Sequence, residues 1–186
     1  SVHLADLLQL RKSAQHKDYQ IGLLDLGLPA GDGQLYLNAA GTYSFIDTLR
    51  NRHRLDRTLI QTALTNSHNG IKVISLPRVM KEMAGISPDD VLSLLKQLRL
   101  YFDVLVLDLG GLADMELVEC MANASDQVLF VTDQSAGALV SLSGMLKEFN
   151  KHGGDASRRQ LIVNRYDIRY GTVSYTHLTL PTILLV

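Results

Sequence analysis

The sequence predicts an α/β fold, a mostly parallel sheet flanked by helices. Short, continuously apolar runs recur along the chain, as strands buried on both faces of a parallel sheet require. Stretches of helical period, some with clear capping residues, separate those runs, so βαβ units with right-handed crossovers are expected. The balance of 46% hydrophobic and 20% charged residues is that of a globular domain rather than a disordered chain.

The elements follow in chain order. Ser1–Ser13 reads as an amphipathic helix with Val2, Leu4, Leu7, Leu8 and Leu10 as its apolar residues. Ile21–Asp25 (IGLLD) is the first strand. Ser44–Arg50 and Asp56–Thr65 are shorter helices, followed by a strand at Ile71–Ser75 (IKVIS). Ser87-Pro88-Asp89-Asp90 opens the clearest helix, with Ser87 as N-cap, Pro88 at the first position and acids in the first turn. Its residues Val91, Leu92, Leu94, Leu95 and Leu98 keep helical spacing to about Tyr101. A strand at Val104–Asp108 (VLVLD), a helix at Leu112–Asn123 and a strand at Val128–Thr132 (VLFVT) come next. A helix from about Ala136 to Lys151 should stop at Gly153-Gly154, before a strand at Leu161–Asn164 (LIVN).

Charge and cysteine content narrow the function classes. Lys and Arg total 18 against 19 Asp and Glu, a net charge of −1, so the broad positive field of a nucleic-acid binder is missing. One cysteine, Cys120, excludes an internal disulfide framework and fits a reducing, cytoplasmic setting. No apolar run reaches the length of a membrane span.

Both ends read as cut. A parallel α/β domain usually opens on a strand, so a strand and its turn are expected upstream of Ser1. Thr172–Val186 (TVSYTHLTLPTILLV) has no charged residue and no helical period, and it contains Pro181. It could supply a final strand or hairpin, but VSYTHLTLPT is similar to translated sequencing-adapter DNA, which fits better. Residues 1–171 are therefore read as a partial native domain and 172–186 as a non-native tail, and no function is hung on Tyr175 or His177.

Two strands end in a carboxylate, Asp25 and Asp108, and glycine-bearing turns follow both. Ligand sites of open α/β sheets lie beyond the carboxyl ends of the strands. An Asp after four apolar strand residues is the Walker B arrangement, in which a rigid strand holds a carboxylate against magnesium-bound water near nucleotide phosphates. Asp108 matches it. The ordinary alternative is an Asp that caps the next helix.

The combination is more specific than either motif. Asp25 lies in Leu23–Leu37 (LLDLGLPAGDGQLYL), and Asn164-Arg165 ends a later strand in LIVNRYD. Ser44-Phe45-Ile46-Asp47-Thr48-Leu49-Arg50-Asn51 and Arg54-Leu55-Asp56-Arg57-Thr58-Leu59 lie between. From about Val2 to Tyr170 the chain resembles the MinD/ParA superfamily of deviant-Walker P-loop ATPases, nearest the TadZ/CpaE proteins of Flp-type (Tad) pilus assembly. Those proteins carry a DLDLxFGDxALYL-like segment followed by SxxDxLRNxxRLDxTL. The resemblance implies a P-loop NTPase fold that binds ATP and Mg²⁺. It makes Asp108 the Walker B carboxylate, holding magnesium through water. Asp25 becomes the first acid of the deviant-Walker segment and a candidate catalytic residue. Gly110-Gly111 falls at a phosphate-sensing switch turn, with an ordinary strand-to-helix turn as the equal alternative. Asn164 would read adenine with its amide, and Arg165 would stack near the base or simply be solvated.

Two departures qualify that picture. Gly27 stands where the family usually has a second acid that positions the attacking water, so hydrolysis is expected to be slow or absent; whether the chain is an enzyme is open. Asp32, though near, matches a separate family acid. The glycine-rich loop with its lysine, which cradles phosphates, appears nowhere in the sequence, and the helix at Val2–Leu10 resembles the one that follows that loop. ATP binding by this chain is therefore expected to be weak, or undetectable by calorimetric titration.

The function implied is a TadZ/CpaE-type positioning factor of the Flp/Tad pilus: a cytoplasmic, ATP-binding protein, homodimeric in its full-length parent and recruited with type II/IV secretion-machine partners to a cell pole. No nucleic acid is expected as a partner. The alternatives are a pseudo-ATPase scaffold of the same machine, or a MinD/ParA-type ATPase that places another cargo. Other features point nowhere sharper. The cluster Arg50, Arg52, His53, Arg54 and Arg57, flanked by Asp47 and Asp56, reads as a solvated helix-and-turn face. The six histidines lack ligand spacing, and Cys120 reads as a small buried hydrophobe. Neither a GxSxG elbow nor a GxGxxG turn after the first strand is present.

Overall fold

The computed structural model describes residues 1–14, 20–28, 32–39, 41–151, 155–167, 169 and 183–185. It divides into two compact units, Ser1–Val118 and Glu119–Val186, each carrying its own sheet.

In the first unit the strands are β1 (Ile21–Asp25), β2 (Thr65–Asn66), β3 (Lys72–Ser75) and β4 (Val104–Asp108), in the order β2-β3-β1-β4. β1 is parallel to β3 and β4, and β2 is a two-residue antiparallel edge. Every residue of β1 and β3 is buried, the reason their sequences do not alternate. Pairing sets Leu23 opposite Val73 and Val106, and Asp25 opposite Ser75 and Asp108. Paired residues share a face. One face is thus the apolar field of Ile21, Leu23, Ile71, Val73 and Val106, and helix α1 (Val2–Ala14) covers it with Val2, Ala5 and Leu8. Each fully buried side chain such as Leu23 contributes about 2 kcal/mol through apolar burial.

α1 departs from the expected single stripe. Ala5 is fully buried, while Leu4, Leu7 and Leu10 stay exposed. The helix carries two apolar stripes because Val2, Ala5 and Leu8 follow one spacing of three and Leu4, Leu7 and Leu10 another.

The remaining helices of this unit are α2 (Asp32–Tyr36), α3 (Phe45–Arg50), α4 (Arg57–Thr62) and α5 (Pro88–Leu98), and α6 (Met115–Ala124) spans the division between the units. α3 has a full capping box between Ser44 and Asp47, Asp56 caps α4, and Ser87 caps α5. α4 stops at Thr62 rather than Thr65 because Thr65 joins β2. α5 stops at Leu98, with Arg99–Tyr101 tightening into a turn and the Tyr101 hydroxyl donating to the Leu55 carbonyl at 2.8 Å. α6 begins three residues later than Leu112 because the Asp114 carboxylate accepts from the Leu117 amide at 3.1 Å and sets its first turn.

The second unit holds β5 (Val128–Thr132), α7 (Ala136–Lys151), β6 (Arg159–Val163) and β7 (Ile183–Leu185), with all three strands parallel in the order β5-β6-β7. The expected stop at Gly153-Gly154 lies outside the described residues. β6 starts two residues earlier than Leu161 and ends before Asn164. Arg159 is buried in the strand, its guanidinium donating to Asn150 Oδ1 at 2.7 Å and lying 5.7 Å from the Phe149 ring centre. Phe130 meets Phe149 edge-on at 5.5 Å. β7 lies inside the stretch read as foreign and pairs in parallel with β6, Ile183 opposite Leu161 and Leu185 opposite Val163.

Burial on both faces was expected of every strand, and β4 and β5 depart from it. β4 is buried only at Val106, and in β5 Val131 is 62% exposed. Each is an edge strand of its own sheet, paired on one side among the described residues.

Candidate functional site

The polar groups of the first unit gather where its strands end. The Ile21–Leu23 ladder terminates in Asp25, Ile71–Val73 in Ser75, and Val104–Val106 in Asp108. In-register pairing lines up Ser75, Asp25 and Asp108 across three adjacent strands, on the face that α1 covers. α1 begins beside this row, with the Ser1 hydroxyl donating to Asp108 Oδ2. The positive end of a 13-residue helix therefore opens at the carboxyl end of the parallel strands, a placement that favours anions.

Asp25 is 3% exposed, and its Oδ2 accepts from the Gly33 amide at 2.9 Å, so this carboxylate also secures the start of α2. Gly33 makes that approach possible, since a Cβ there would stand 2.7 Å from Asp25 Oδ2. Asp108 is half-buried and does not cap the following helix, a task that falls to Asp114. Its Oδ1 accepts instead from the Gly110 amide at 3.1 Å. Beyond the strands the two turns are zipped together, Leu26 N–H donating to the Asp108 carbonyl at 3.0 Å and Leu28 N–H to the Gly110 carbonyl at 2.7 Å. Gly27 sits between these bonds, buried, and a Cβ on it would lie 3.2 Å from both Asp108 Oδ1 and the Gly110 carbonyl. Gly111 adopts φ +76° against Leu28, a conformation that suits glycine.

Asn164 and Arg165 belong to the second unit. Asn164 follows β6 in an exposed turn, its amide nitrogen of the main chain donating to the Thr132 carbonyl at 2.7 Å and its side-chain oxygen accepting from Arg165 N–H at 2.9 Å. Arg165 is held at φ +56°, costing about 1 kcal/mol for a residue with a side chain. Gln134 pins this loop from the end of β5, donating to the Asp167 carbonyl and accepting from the Asp167 amide at 2.6 Å. The Asp167 carboxyl is held below its ordinary range by the Arg169 guanidinium, and that of Asp133 by hydrogen bonds from Ser135.

The donor set of the first unit fits a magnesium-bound phosphate group. Two carboxylates and a helix N-terminus lie at one strand end, with Ser75, buried and in register beside Asp25, lacking a hydrogen-bond partner for its hydroxyl among the described residues. Among the described residues no group of three or more His, Cys, Asp or Glu could hold a metal directly. A cation here would be held through water and the ligand's own oxygens.

Comparison with solved structures follows the same lines. A ParA family ATPase from Chlorobium tepidum TLS superposes with a TM-score of 0.82 at 21% identity, covering 100% of this chain and 77% of its own. The fold is that of the ParA/MinD ATPases. The MinD cell division protein of Aquifex aeolicus matches at a TM-score of 0.58 and 16% identity over 91% of this chain and 66% of its own. The Aquifex aeolicus MinC:MinD complex matches at 0.62 and 15% over 89% and 68%. No protein-family model and no curated protein matches the sequence.

Within this ParA/MinD fold the structure brings Asp25, Asp108, Gly110 and Gly111 together in one unit and places Asn164 and Arg165 in the other. Sequence reasoning missed Ser1, Gly33 and Ser75. Ser75 was within reach, because it closes an apolar strand as Asp25 and Asp108 do. The basic cluster is only partly solvated, since Arg52 is half-buried and donates to Asp90 at 2.6 Å and to the Leu49 carbonyl. Cys120 is half-buried rather than buried. Among the described residues no helix is long and apolar enough to cross a membrane.

Proposed function

We propose that this chain is part of a ParA/MinD-superfamily positioning ATPase that binds ATP with Mg²⁺, of the TadZ/CpaE kind that serves Flp/Tad pilus assembly. The observation that carries the nucleotide reading is the row Ser75–Asp25–Asp108 with the N-terminus of α1 at Asp108. The pilus assignment is supported by the ordered match of Asp25–Leu37, Ser44–Asn51 and Arg54–Leu59 to that branch.

Bound magnesium would neutralise charge on the phosphate oxygens. Asp108 would accept hydrogen bonds from its water shell, kept in place by Gly110 and Ser1. Asp25 would face the phosphate end from the next strand, and the first amides of α1 would meet the phosphates. The Gly110–Gly111 turn would sense their presence, and its bond to Leu28 would pass a shift to the turn after β1. For Asn164 and Arg165, which lie in the second unit, the adenine-reading role stays what the family resemblance implies. Gly27 offers no side chain to orient an attacking water, so the protein acts as a nucleotide-dependent dimeric switch with little turnover. Such a switch works because nucleotide favours the association state that binds it more tightly.

A second reading, a scaffold that binds no nucleotide, is favoured by the structural use of Asp25 as the anchor of α2. Binding and turnover of Mg-ATP by the intact protein separate the two: binding with little turnover supports the switch, and no binding supports the scaffold. Neighbouring genes for pilus secretion components support the Tad assignment, and genes for partition or division systems would replace it.

A further inference from the structure

The turn between β2 and β3 carries Asn69-Gly70, the one Asn-Gly pair in the sequence. The Gly70 amide donates to the Ser67 carbonyl at 3.1 Å, so Asn69 is the third residue of a four-residue turn closed at Gly70. Gly70 is exposed at φ +83° and Asn69 is half-buried, which leaves the pair within reach of water. Two side chains of α1 hold the asparagine. Its side-chain amide donates to Asp6 Oδ1 at 3.1 Å, and its carbonyl accepts from Gln9 Nε2 at 2.6 Å. Asp6 and Gln9 are neighbours on one side of the helix. Their bonds to the turn join the apolar contacts of Val2, Ala5 and Leu8 in seating α1 on the sheet.

We propose that Asn69-Gly70 is a deamidation site guarded by α1, and that its conversion unlatches the helix from the turn. The glycine nitrogen, unshielded by a neighbouring Cβ, attacks Asn69 Cγ and closes a succinimide ring. The Cγ–Nδ2 bond breaks, and the nitrogen leaves as ammonia with the proton given up by the Gly70 amide. Water then opens the ring to aspartate or isoaspartate, so the reaction needs no oxidant, reductant or cofactor. In the docked turn both reacting groups are occupied, the Gly70 N–H by Ser67 and the departing amide by Asp6. Reaction therefore requires the turn to open and Asn69 to leave α1. Its product faces Asp6 with a second carboxylate in place of an amide donor, so attraction becomes like-charge repulsion and re-docking is disfavoured. Isoaspartate also lengthens the main chain at the residue whose carbonyl receives Gln9. The helix released is the one whose first residue meets Asp108.

The test is peptide mass mapping of the protein during incubation at mildly alkaline pH, on wild type and Asp6→Ala. Amide hydrogen exchange of α1 follows in wild type, Asn69→Asp and Asn69→Asp/Asp6→Asn. In wild type Asn69 is expected to convert to a mixture of aspartate and isoaspartate ahead of every other asparagine. Asp6→Ala, which removes the guard, should convert Asn69 roughly threefold to tenfold faster. Asn69→Asp should speed exchange at the Asp6–Leu10 end of α1, and Asn69→Asp/Asp6→Asn should return it to the wild-type rate. A wild type that never converts at Asn69 overturns the site. An unchanged rate in Asp6→Ala overturns the guard, and so does equal acceleration at every asparagine, the mark of global unfolding. Unchanged α1 exchange in Asn69→Asp overturns the latch.

Discussion

Gly33→Ala probes the geometry of the site most sharply, because a single methyl group is set against the Asp25 carboxylate. The added Cβ would stand 2.7 Å from Asp25 Oδ2 and 2.8 Å from its Cγ, so the carboxylate must turn away. Turning breaks the 2.9 Å bond from the Gly33 amide to a carboxylate that is 3% exposed. Losing a hydrogen bond to a buried charged group costs about 1.5–3 kcal/mol. Alanine returns up to about 1 kcal/mol of helix propensity in α2. The net loss is about 1–2 kcal/mol, a fall in Tm of about 3–8 °C for a unit of this size. Thermal denaturation of Gly33→Ala, Asp25→Ala and the double variant measures it. With Asp25 shortened, the Gly33 substitution should become neutral or stabilising. A Gly33→Ala protein as stable as wild type, or strictly additive effects in the cycle, would show that Asp25 does not anchor α2 in this way.

Lys72 is buried on β3 with its ammonium donating to the Gln61 carbonyl at 2.9 Å, and burial lowers its pKa below the usual 10.5. The fold thus penalises the charged form. That deficit is present in full at neutral pH and is relieved as pH rises through the lowered pKa towards 10.5, so wild-type stability should climb on the alkaline side. Urea denaturation across that range should show the climb in wild type and not in Lys72→Met. Gly27→Asp, which puts an acid where the sequence resemblance expects one, should not bring turnover. Its carboxylate would crowd Asp108, costing about 2 kcal/mol near neutral pH and less in Gly27→Asp/Asp108→Asn. A phosphate-release assay with thermal melts would contradict this if Gly27→Asp gained hydrolysis at unchanged stability.

Much of the first unit was legible because its signals are local. β1 and β4 match their apolar runs end to end, and the caps Ser44, Asp56 and Ser87 sit where hydroxyl or carboxylate residues precede helical spacing. What escaped depends on tertiary neighbours. α2 is five residues long, too short to show a period, and exists because Asp25 meets its start. β2 is two residues pairing with β3. Arg159 enters β6 because Phe149 and Asn150 receive a guanidinium that its sequence context marks as polar. The site divides in the same way. Asp25 and Asp108 were readable as strand-end acids, but the alignment of Ser75 with them is a matter of register, and the crowding at Gly27 and Gly33 is a matter of approach between turns.

The most direct test of a magnesium-nucleotide site at the carboxyl end of β1 and β4 is a titration with Mg-ATP to millimolar concentration. It is read at the amides of Val2, His3, Gly27, Gly110 and Gly111, in wild type and Asp108→Asn. The expected result is saturable, magnesium-dependent shifts at these amides, with affinity weaker than micromolar and weakened about tenfold further by Asp108→Asn. Shifts that spare these amides, or that persist unchanged in Asp108→Asn or without magnesium, would contradict the assignment.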